Sequence, residues 1–176
     1  NDINNFALKR CIQLQTVCAV KREVFMTKGE IARNNFLAGD NCSVSVALAF
    51  KDELNLPENM IKKLFIGFGG GLARQRLVCG AVSAMTAVLS YLLSDGENKA
   101  EIYAIIQKAC DEFKNETGSL ICGELLSSAT PSAAKSTAPV PEARTPEYYK
   151  KRPCADICAL AADITEKYLK IYSPSK

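Results

Sequence analysis

Apolar residues recur every three or four positions along most of the chain, which is the period of an α-helix. In the segment 97–115, for example, Ile102, Ile106, Ala109 and Phe113 fall on one face, as in an amphipathic helix that buries one side. No segment shows a convincing strand pattern, and no internal repeat is present. The pattern therefore predicts an all-α fold, a compact helical bundle.

The segment 77–93 is almost entirely apolar and predicts a central helix that is buried on all sides. A membrane-spanning helix needs about 20 apolar residues. This segment is shorter and contains Gly80, Ser83, Thr86 and Ser90. We therefore expect it to be the buried centre of the bundle and not a membrane span.

Further helices are delimited by capping residues, prolines and glycines. Besides 77–93 and 97–115, the predicted helices cover 5–24, 27–37, a segment that starts at Asn41, 57–68, 120–126 and 153–172. The stretch 127–147 is rich in Ser, Ala, Pro and Thr and predicts a loose surface connection. We expect one helical domain over 26–172, preceded by an N-terminal helical extension, 1–25.

The composition is that of an ordinary globular protein and argues against several functions. The chain has 176 residues, of which 48% are apolar and 23% charged, and a net charge of +3. That charge is too small to indicate a nucleic acid or a membrane surface as a partner. Histidine is absent, so the sequence holds no Ser–His or Cys–His catalytic pair and no Cys-x-x-Cys-His haem site. We leave open whether the protein is an enzyme.

Eight cysteines carry the candidate chemistry of the chain. They are Cys11, Cys18, Cys42, Cys79, Cys110, Cys122, Cys154 and Cys158. The first residues lack the apolar run of a signal peptide, and a chain of this length folds without disulfides. We therefore expect a cytoplasmic protein whose thiols are reduced or are bound to a metal as thiolates.

Four of the cysteines stand at or near predicted helix N-termini. These are Cys42 after Asp40-Asn41, Cys79 after a glycine-rich turn, Cys122 three residues after the expected cap Ser119, and Cys154 after Pro153. Free N–H groups and the positive end of the helix dipole favour anions at such positions and lower the pKa of a thiol. One such placement would mean little, but four of them suggest that the chain uses these cysteines as thiolates, the nucleophilic and metal-binding form.

The other four cysteines have weaker signals. Cys11, Cys18 and Cys110 lie in predicted helix interiors among apolar neighbours, where a free cysteine packs as a small hydrophobic residue. Cys158 follows Cys154 by one helical turn, so that it either joins the site or packs in the core.

The stretch "FGGGLARQRLVCGAVSA" at 68–84 contains three consecutive glycines before Cys79. It lacks the lysine of a phosphate-binding P-loop and the third glycine of a dinucleotide-binding fingerprint. The glycines are better explained by a tight turn and by close backbone approach. The glycines that we expect to surround a cofactor in this way are Gly69, Gly70, Gly71 and Gly80.

Three other features of the sequence allow two interpretations each. Gly80 and Ala84 share a helix face, which serves either helix packing or the approach of a bulky inorganic group. Arg74 and Arg76 are expected to be solvated, although they offer positive charge for a site or a partner. The basic run at 148–153 is expected to be a solvated turn, with a phosphate or partner contact as the alternative.

Four segments between about Lys28 and Tyr172 resemble, in order, the motifs of the C-GCAxxG-C-C family of redox-active proteins. The segments are "AGDNCSVSVALAF", "FGGGLARQRLVCGAVSA", "FKNETGSLICGELL" and "RTPEYYKKRPCADI", which carry Cys42, Cys79, Cys122 and Cys154. The chain departs from the family pattern at three positions. Ala84 and Ala73 replace glycines, and Leu77 replaces a frequent acidic residue; the methyl of Ala84 is expected to narrow the site slightly.

The resemblance implies a helical domain that gathers the four cysteines into one redox or metal site. Cytochromes related to the family carry an iron–sulfur centre in this domain and haem on an added segment. The chain has no haem attachment site and no histidine to serve as an axial ligand, so the haem function does not carry over.

The leading hypothesis is an iron–sulfur cluster on Cys42, Cys79, Cys122 and Cys154, used for electron transfer or redox sensing. The alternatives are a metal-free thiol–disulfide protein and a structural zinc site. We expect a redox partner protein, which the sequence does not identify, and keep a homodimer as an option.

Overall fold

The computed structural model describes residues 26–173. In this part of the chain ten α-helices and one 3-10 turn form, and the all-α prediction is confirmed. The helices are α1 (Lys28–Leu37), α2 (Cys42–Leu48), α3 (Lys51–Leu54), α4 (Glu58–Phe65), α5 (Gly80–Leu93), α6 (Lys99–Thr117), α7 (Cys122–Ser127), α8 (Pro131–Lys135), α9 (Pro146–Lys151) and α10 (Cys154–Tyr172), and the 3-10 turn is Ile66–Phe68. The predicted helix 5–24, with Cys11 and Cys18, lies outside the described residues.

Helix α5 forms the predicted centre of the bundle, but the expectation that it is buried on all sides is wrong, because Tyr91 is 60% exposed. Val82, Met85, Val88 and Leu89 are at most 2% exposed. Helices α2, α6 and α10 pack against α5, and α10 also packs along α1. Burial of this apolar helix by its neighbours supplies the main driving force for the fold, since helices of this length gain little stability from propensity alone. Nowhere in residues 26–173 does a helix combine the length and the apolar character that crossing a membrane requires.

The central helix begins at Gly80 rather than at residue 77, because the residues before it are extended. The Cys79 N–H donates to the Leu120 carbonyl (2.8 Å), and the Cys122 N–H donates to the Leu77 carbonyl (2.7 Å). These bonds flank an isolated antiparallel bridge between residues 78 and 121. The extended pair brings the start of α5 next to the start of α7.

The glycine-rich turn continues as a left-handed segment over residues 70–76. Gly70 and Gly71 have positive φ, and so do Leu72, Ala73, Arg74 and Arg76. A left-handed conformation costs about 1–2 kcal/mol for each residue that has a Cβ. Backbone hydrogen bonds hold the segment, among them those from the amides of residues 73, 76 and 77 to the carbonyls of residues 67, 70 and 71 (2.7–3.2 Å). The sequence predicted a tight turn here, but not its left-handed continuation.

The Ser-, Ala- and Pro-rich stretch 127–147 includes the short helix α8, where Ala133 is buried. Two arginine side chains fasten the residues after α8 to the left-handed segment. Arg76 Nε donates to the Ser136 carbonyl (2.9 Å), and Arg74 Nε donates to the Ala138 carbonyl. This stretch therefore lies against the turn that precedes α5.

Candidate four-cysteine site

Cys42, Cys79, Cys122 and Cys154 line one cavity of about 300 Å³. Cys42, Cys122 and Cys154 are the first residues of α2, α7 and α10, and Cys79 directly precedes α5. The residues that the sequence pattern placed at helix N-termini thus converge from four separate segments. Much of the remaining lining comes from the glycine-rich turn, the stretch before α9, and α9 itself, and apolar side chains of α1, the 3-10 turn, α7 and α10 also contribute to it.

Local capping sets the start of the first cysteine-bearing helix. The side-chain oxygen of Asn41 accepts from the N–H groups of Ser43 (3.1 Å) and Val44 (3.0 Å), and its amide donates to the Ile66 carbonyl (3.0 Å). The predicted cap is therefore confirmed, and it also ties α2 to the 3-10 turn. Cys42 is fixed as the first residue of α2.

The predicted cap of the third cysteine-bearing helix is wrong. Helix α7 begins at Cys122 after Ile121, and Ser119 lies two residues before that cap position. The Ser119 hydroxyl accepts from the Ile121 N–H (2.9 Å) and donates to the Glu124 carboxylate. Ser119 thus supports the extended residues before the helix, because the bridge to residue 78 keeps this part of the chain out of the helix.

The glycines give the cysteine-bearing segments room to approach one another. A Cβ on Gly80 would lie 2.6 Å from Cys42 Sγ, and a Cβ on Gly71 would lie 2.6 Å from Cys122 Cβ. A Cβ on Gly69 would likewise lie 2.6 Å from the Asn41 side-chain nitrogen. Gly69 and Gly70 line the cavity, whereas Gly71 and Gly80 contact the segments that carry the cysteines.

Among the cysteines of the cavity, Cys42 is the one whose thiol pKa is lowered. Its interaction with the neighbouring Cys79 thiol lowers the pKa of Cys42 from 9.0 to about 6, against the effect of burial. Backbone N–H groups of Gly70, Ser43 and Gly80 add to this effect, as expected for a thiolate at a helix start. Cys42 is therefore an activated thiolate held by a protonated partner.

The prediction of lowered thiol pKa values is wrong for the other three cysteines. The Cys42 sulfur and burial raise the pKa of Cys79 well above its usual value. Burial, followed by the charge of Cys42, raises the pKa of Cys122 and raises that of Cys154 to about 12. The helix N-termini thus stabilise one thiolate, at Cys42. At the other three sulfurs, burial and repulsion from that thiolate raise the pKa by more than the helix N-termini lower it.

Arginine side chains form a second wall of the cavity, which the sequence analysis had not expected. Arg76 is 8% exposed and its Nη1 lies 3.9 Å from Cys122 Sγ. Arg152 is also 8% exposed and donates to Glu142 (2.7 Å), which Arg74 approaches at 3.8 Å. The expectation that Arg76 is solvated is therefore wrong, because tertiary packing turns its side chain inward. The basic run lies mostly in helix α9 rather than in a turn; its Arg152 is buried, whereas Lys150 and Lys151 are exposed as expected.

Arg144 completes this arginine wall. Its guanidinium lies 4.6 Å from the Phe36 ring centre and 4.7 Å from that of Tyr148, and Nη2 donates to the Asp40 carbonyl (3.3 Å). Such stacking holds the planar guanidinium in one orientation. Arg144 has no signal of its own in the sequence beyond its place as the first residue of the cysteine-containing motif at 144–157.

Two buried arginine nitrogens in the wall lack a hydrogen-bond partner among the described residues. They are Nη2 of Arg76 and Nη1 of Arg144. Unpaired buried donors are rare in native proteins, and they often mark an unseen ion or ligand. The cavity therefore combines four sulfurs with donors that suit an anionic occupant.

The other residues that the sequence analysis singled out, Cys158, Cys110 and Ala84, do not line the cavity. Cys158 is fully buried and its thiol donates to the Cys42 carbonyl (3.7 Å), and Cys110 is half-buried. Ala84 is fully buried in the core and does not line the cavity. The expected narrowing of the site by its methyl group is therefore wrong, since that methyl packs against apolar neighbours.

The sulfurs do not converge on a single point. Within residues 26–173, no three His, Cys, Asp or Glu side chains lie close enough together to hold one metal ion. A tetrahedral zinc site needs four ligand atoms about 2.0–2.3 Å from one centre. As they stand, the four sulfurs therefore do not form a tetrahedral site for a single ion.

A family model described as "Putative redox-active protein (C_GCAxxG_C_C)" matches residues 40–168, which is more than half of the chain. This range includes all four cysteines of the cavity. No curated protein and no solved structure matches the chain.

Proposed function

The chain belongs to the C_GCAxxG_C_C family of redox-active proteins, and on that premise we propose that its cavity holds an iron–sulfur cluster for electron transfer or redox sensing. The ligands in this proposal are Cys42, Cys79, Cys122 and Cys154. The observation that carries it is the convergence of four thiols from four segments on one cavity of about 300 Å³. Cysteine thiolates are the usual ligands of such clusters.

Zinc is the weaker alternative in this proposal. The family is described as redox-active, whereas Zn²⁺ has no redox chemistry of its own. A bound cluster would supply the one-electron chemistry.

The residues of the chain supply the surroundings that an anionic cluster needs. Arg76 faces the Cys122 sulfur (3.9 Å), which stabilises negative charge on that ligand. Cys42, Cys79 and Cys122 are at most 8% exposed, so water has little access to their sulfurs. Hydrogen bonds to ligand sulfurs and limited solvent access are the features by which a protein sets a cluster potential.

Anaerobic purification tests the proposal. We expect a coloured protein that contains iron and acid-labile sulfide and little zinc. Serine variants of each of the four ligand cysteines should lose most of the iron and the visible absorption. The matched control is Cys110→Ser, which replaces a half-buried thiol outside the cavity and should keep both. A colourless protein without iron, or a Cys79→Ser variant with the full spectrum, would contradict the proposal.

A second candidate function rests on the pair formed by Cys42 and Cys79. A thiolate with a pKa of about 6 beside a protonated thiol suits disulfide exchange without metal. The Cys42 thiolate would attack an external disulfide and release one thiolate. The Cys79 sulfur, after losing its proton, would then displace the second thiolate and close a Cys42–Cys79 disulfide.

Thiol counting distinguishes this second function. Metal-free protein treated with oxidised glutathione should lose two thiols to one intramolecular disulfide. Cys42→Ser and Cys79→Ser should each prevent it, and Cys110→Ser should not. If the cluster proposal fails and these two thiols also stay reduced, neither function holds.

A further inference from the structure

The arginine wall contains two fixed guanidinium groups with unused donors. Arg76 uses Nε on the Ser136 carbonyl (2.9 Å) and Nη1 near Cys122 (3.9 Å), which leaves Nη2 without a partner. Arg144 uses Nη2 on the Asp40 carbonyl (3.3 Å), which leaves Nη1 without one. Both side chains line the cavity, so an occupant of the cavity is the natural acceptor.

Arg76 and Arg144 have no carboxylate partner among the described residues, and the four arginines of the lining outnumber its two negative groups, Glu142 and the Cys42 thiolate. Glu142 is the carboxylate in the lining, and it pairs with Arg152 at 2.7 Å and with Arg74 at 3.8 Å. Arg76 and Arg144 form no ion pair among residues 26–173. A buried charge without a partner is unfavourable, so an occupant that carries negative charge is expected beside them.

The geometry of the two guanidinium groups matches oxygen acceptors. Guanidinium is a planar fork of donors that suits carboxylate, phosphate and other oxyanions. Stacking on Phe36 and Tyr148 (4.6 and 4.7 Å) holds Arg144 in place. Arg76 has a φ of +62° at the end of the left-handed segment. Such costly conformations are found most often at functional sites.

The cavity has room for an anion. Its volume of about 300 Å³ corresponds to about ten water molecules at about 30 Å³ each. The arginines lie beside the cysteines in its lining, with Arg76 Nη1 3.9 Å from Cys122 Sγ. From the unpaired donors, the uncompensated charge and the available space, we propose that Arg76 and Arg144 bind a small oxyanion beside the four cysteines. Its role as a redox substrate or effector rests on the proposed function, but its binding does not.

Sulfate is the probe, because it is a small oxyanion that does not react with thiols. We titrate it into anaerobically purified protein at constant ionic strength, with chloride as the control salt, and measure heat. We expect one site per chain. Arg76→Gln and Arg144→Gln should each weaken binding at least tenfold, and Arg76→Lys should weaken it less. The matched control is Arg33→Gln, which changes an exposed arginine paired with Asp156 and should bind as the wild type does.

A second measurement uses the wild-type protein, so its result does not depend on whether the variants fold. Phenylglyoxal modifies arginines, and the modified positions are mapped by mass spectrometry with and without sulfate. We expect sulfate to protect Arg76 and Arg144 and to leave Arg33 unprotected. Sulfate heat that persists in both glutamine variants, or the lack of protection at both positions, would overturn the proposal.

Iron and sulfide assays on the same samples separate this inference from the cluster proposal. Arginine-dependent binding to iron-containing protein supports an anion beside the cluster. The same binding to protein that never contains iron supports the anion site and counts against the cluster. Sulfate that binds metal-free protein but is excluded once iron is bound would show that the arginines serve the metal group, and the anion site would be wrong.

Discussion

The replacement of Gly80 by alanine tests the close contact that holds Cys42 in the cavity. A Cβ at this position would lie 2.6 Å from Cys42 Sγ and 2.6 Å from the Phe68 carbonyl oxygen, whereas ordinary contacts are 3.4–4 Å. The Phe68 oxygen belongs to the backbone, so it moves only if the 3-10 turn moves. The extra methyl group therefore pushes apart α5, the 3-10 turn and the start of α2.

The expected cost is the difference between two effects. Overpacking a well-packed site costs about 1–3 kcal/mol, and alanine gains about 0.5–1 kcal/mol over glycine in a helix. We expect the free energy of unfolding to fall by about 1–2 kcal/mol. Because the Gly80 N–H helps to stabilise the Cys42 thiolate, the pKa of Cys42 should rise toward its usual value.

Urea unfolding of the metal-free protein measures the first effect, and the pH dependence of alkylation at Cys42 measures the second. The control is Gly67→Ala, because nothing lies within 4 Å of a Cβ built there and its φ is not positive. That variant should keep its stability or gain slightly. A Gly80→Ala protein as stable as the wild type, with an unchanged pKa at Cys42, would refute the close-contact explanation.

Three further predictions follow from single side chains. The pKa of Cys42 is about 6 in the folded protein, against a usual value of 9.0. The free energy of unfolding of the metal-free protein should therefore fall by up to about 1.4 kcal/mol per pH unit as the pH decreases from about 9 to 6. Urea unfolding of Cys42→Ser should lack this pH dependence, and a flat profile for the wild type would contradict the prediction. Arg76→Gln should raise the pKa of Cys122 further, because Arg76 lowers that pKa in the native protein. The pH dependence of Cys122 alkylation measures the pKa, and an unchanged midpoint would contradict the prediction. Asn41→Ala removes the acceptor of two amides and should cost about 1 kcal/mol in urea unfolding, whereas the control Asn34→Ala should cost clearly less.

The longer helices within residues 26–173 were predictable from the sequence because their signals are local, whereas the short helices α8 and α9 fall in stretches that were expected to be a loose connection and a turn. A capping residue such as Asn41 acts on amides two and three positions away, and the apolar character of α5 is visible without knowledge of its neighbours. The motif order of the family then selected the four cysteines of the cavity. The capping and apolar signals depend on residues that are close together in the chain.

The arginine wall was not predictable in the same way. Arg76 points into the cavity because the left-handed segment, with φ of +62° at Arg76 itself, turns its side chain inward. Arg144 comes from a stretch rich in Pro, Ala and Ser that predicts exposure, and it is held by aromatic rings more than 100 residues away in the chain as well as nearby. Both positions depend on long-range contacts that leave no periodic pattern in the sequence.

The thiol pKa values show why a residue-by-residue estimate of the site fails. Each helix start favours a thiolate when considered alone. Once Cys42 is ionised, its negative charge and burial raise the pKa of Cys79, Cys122 and Cys154, even with arginines in the same lining. Four thiolates in this cavity therefore need positive charge beyond what the protein provides. In the metal-free protein the coupling therefore favours one thiolate and three protonated thiols, and any metal bound by all four sulfurs would have to displace those three protons.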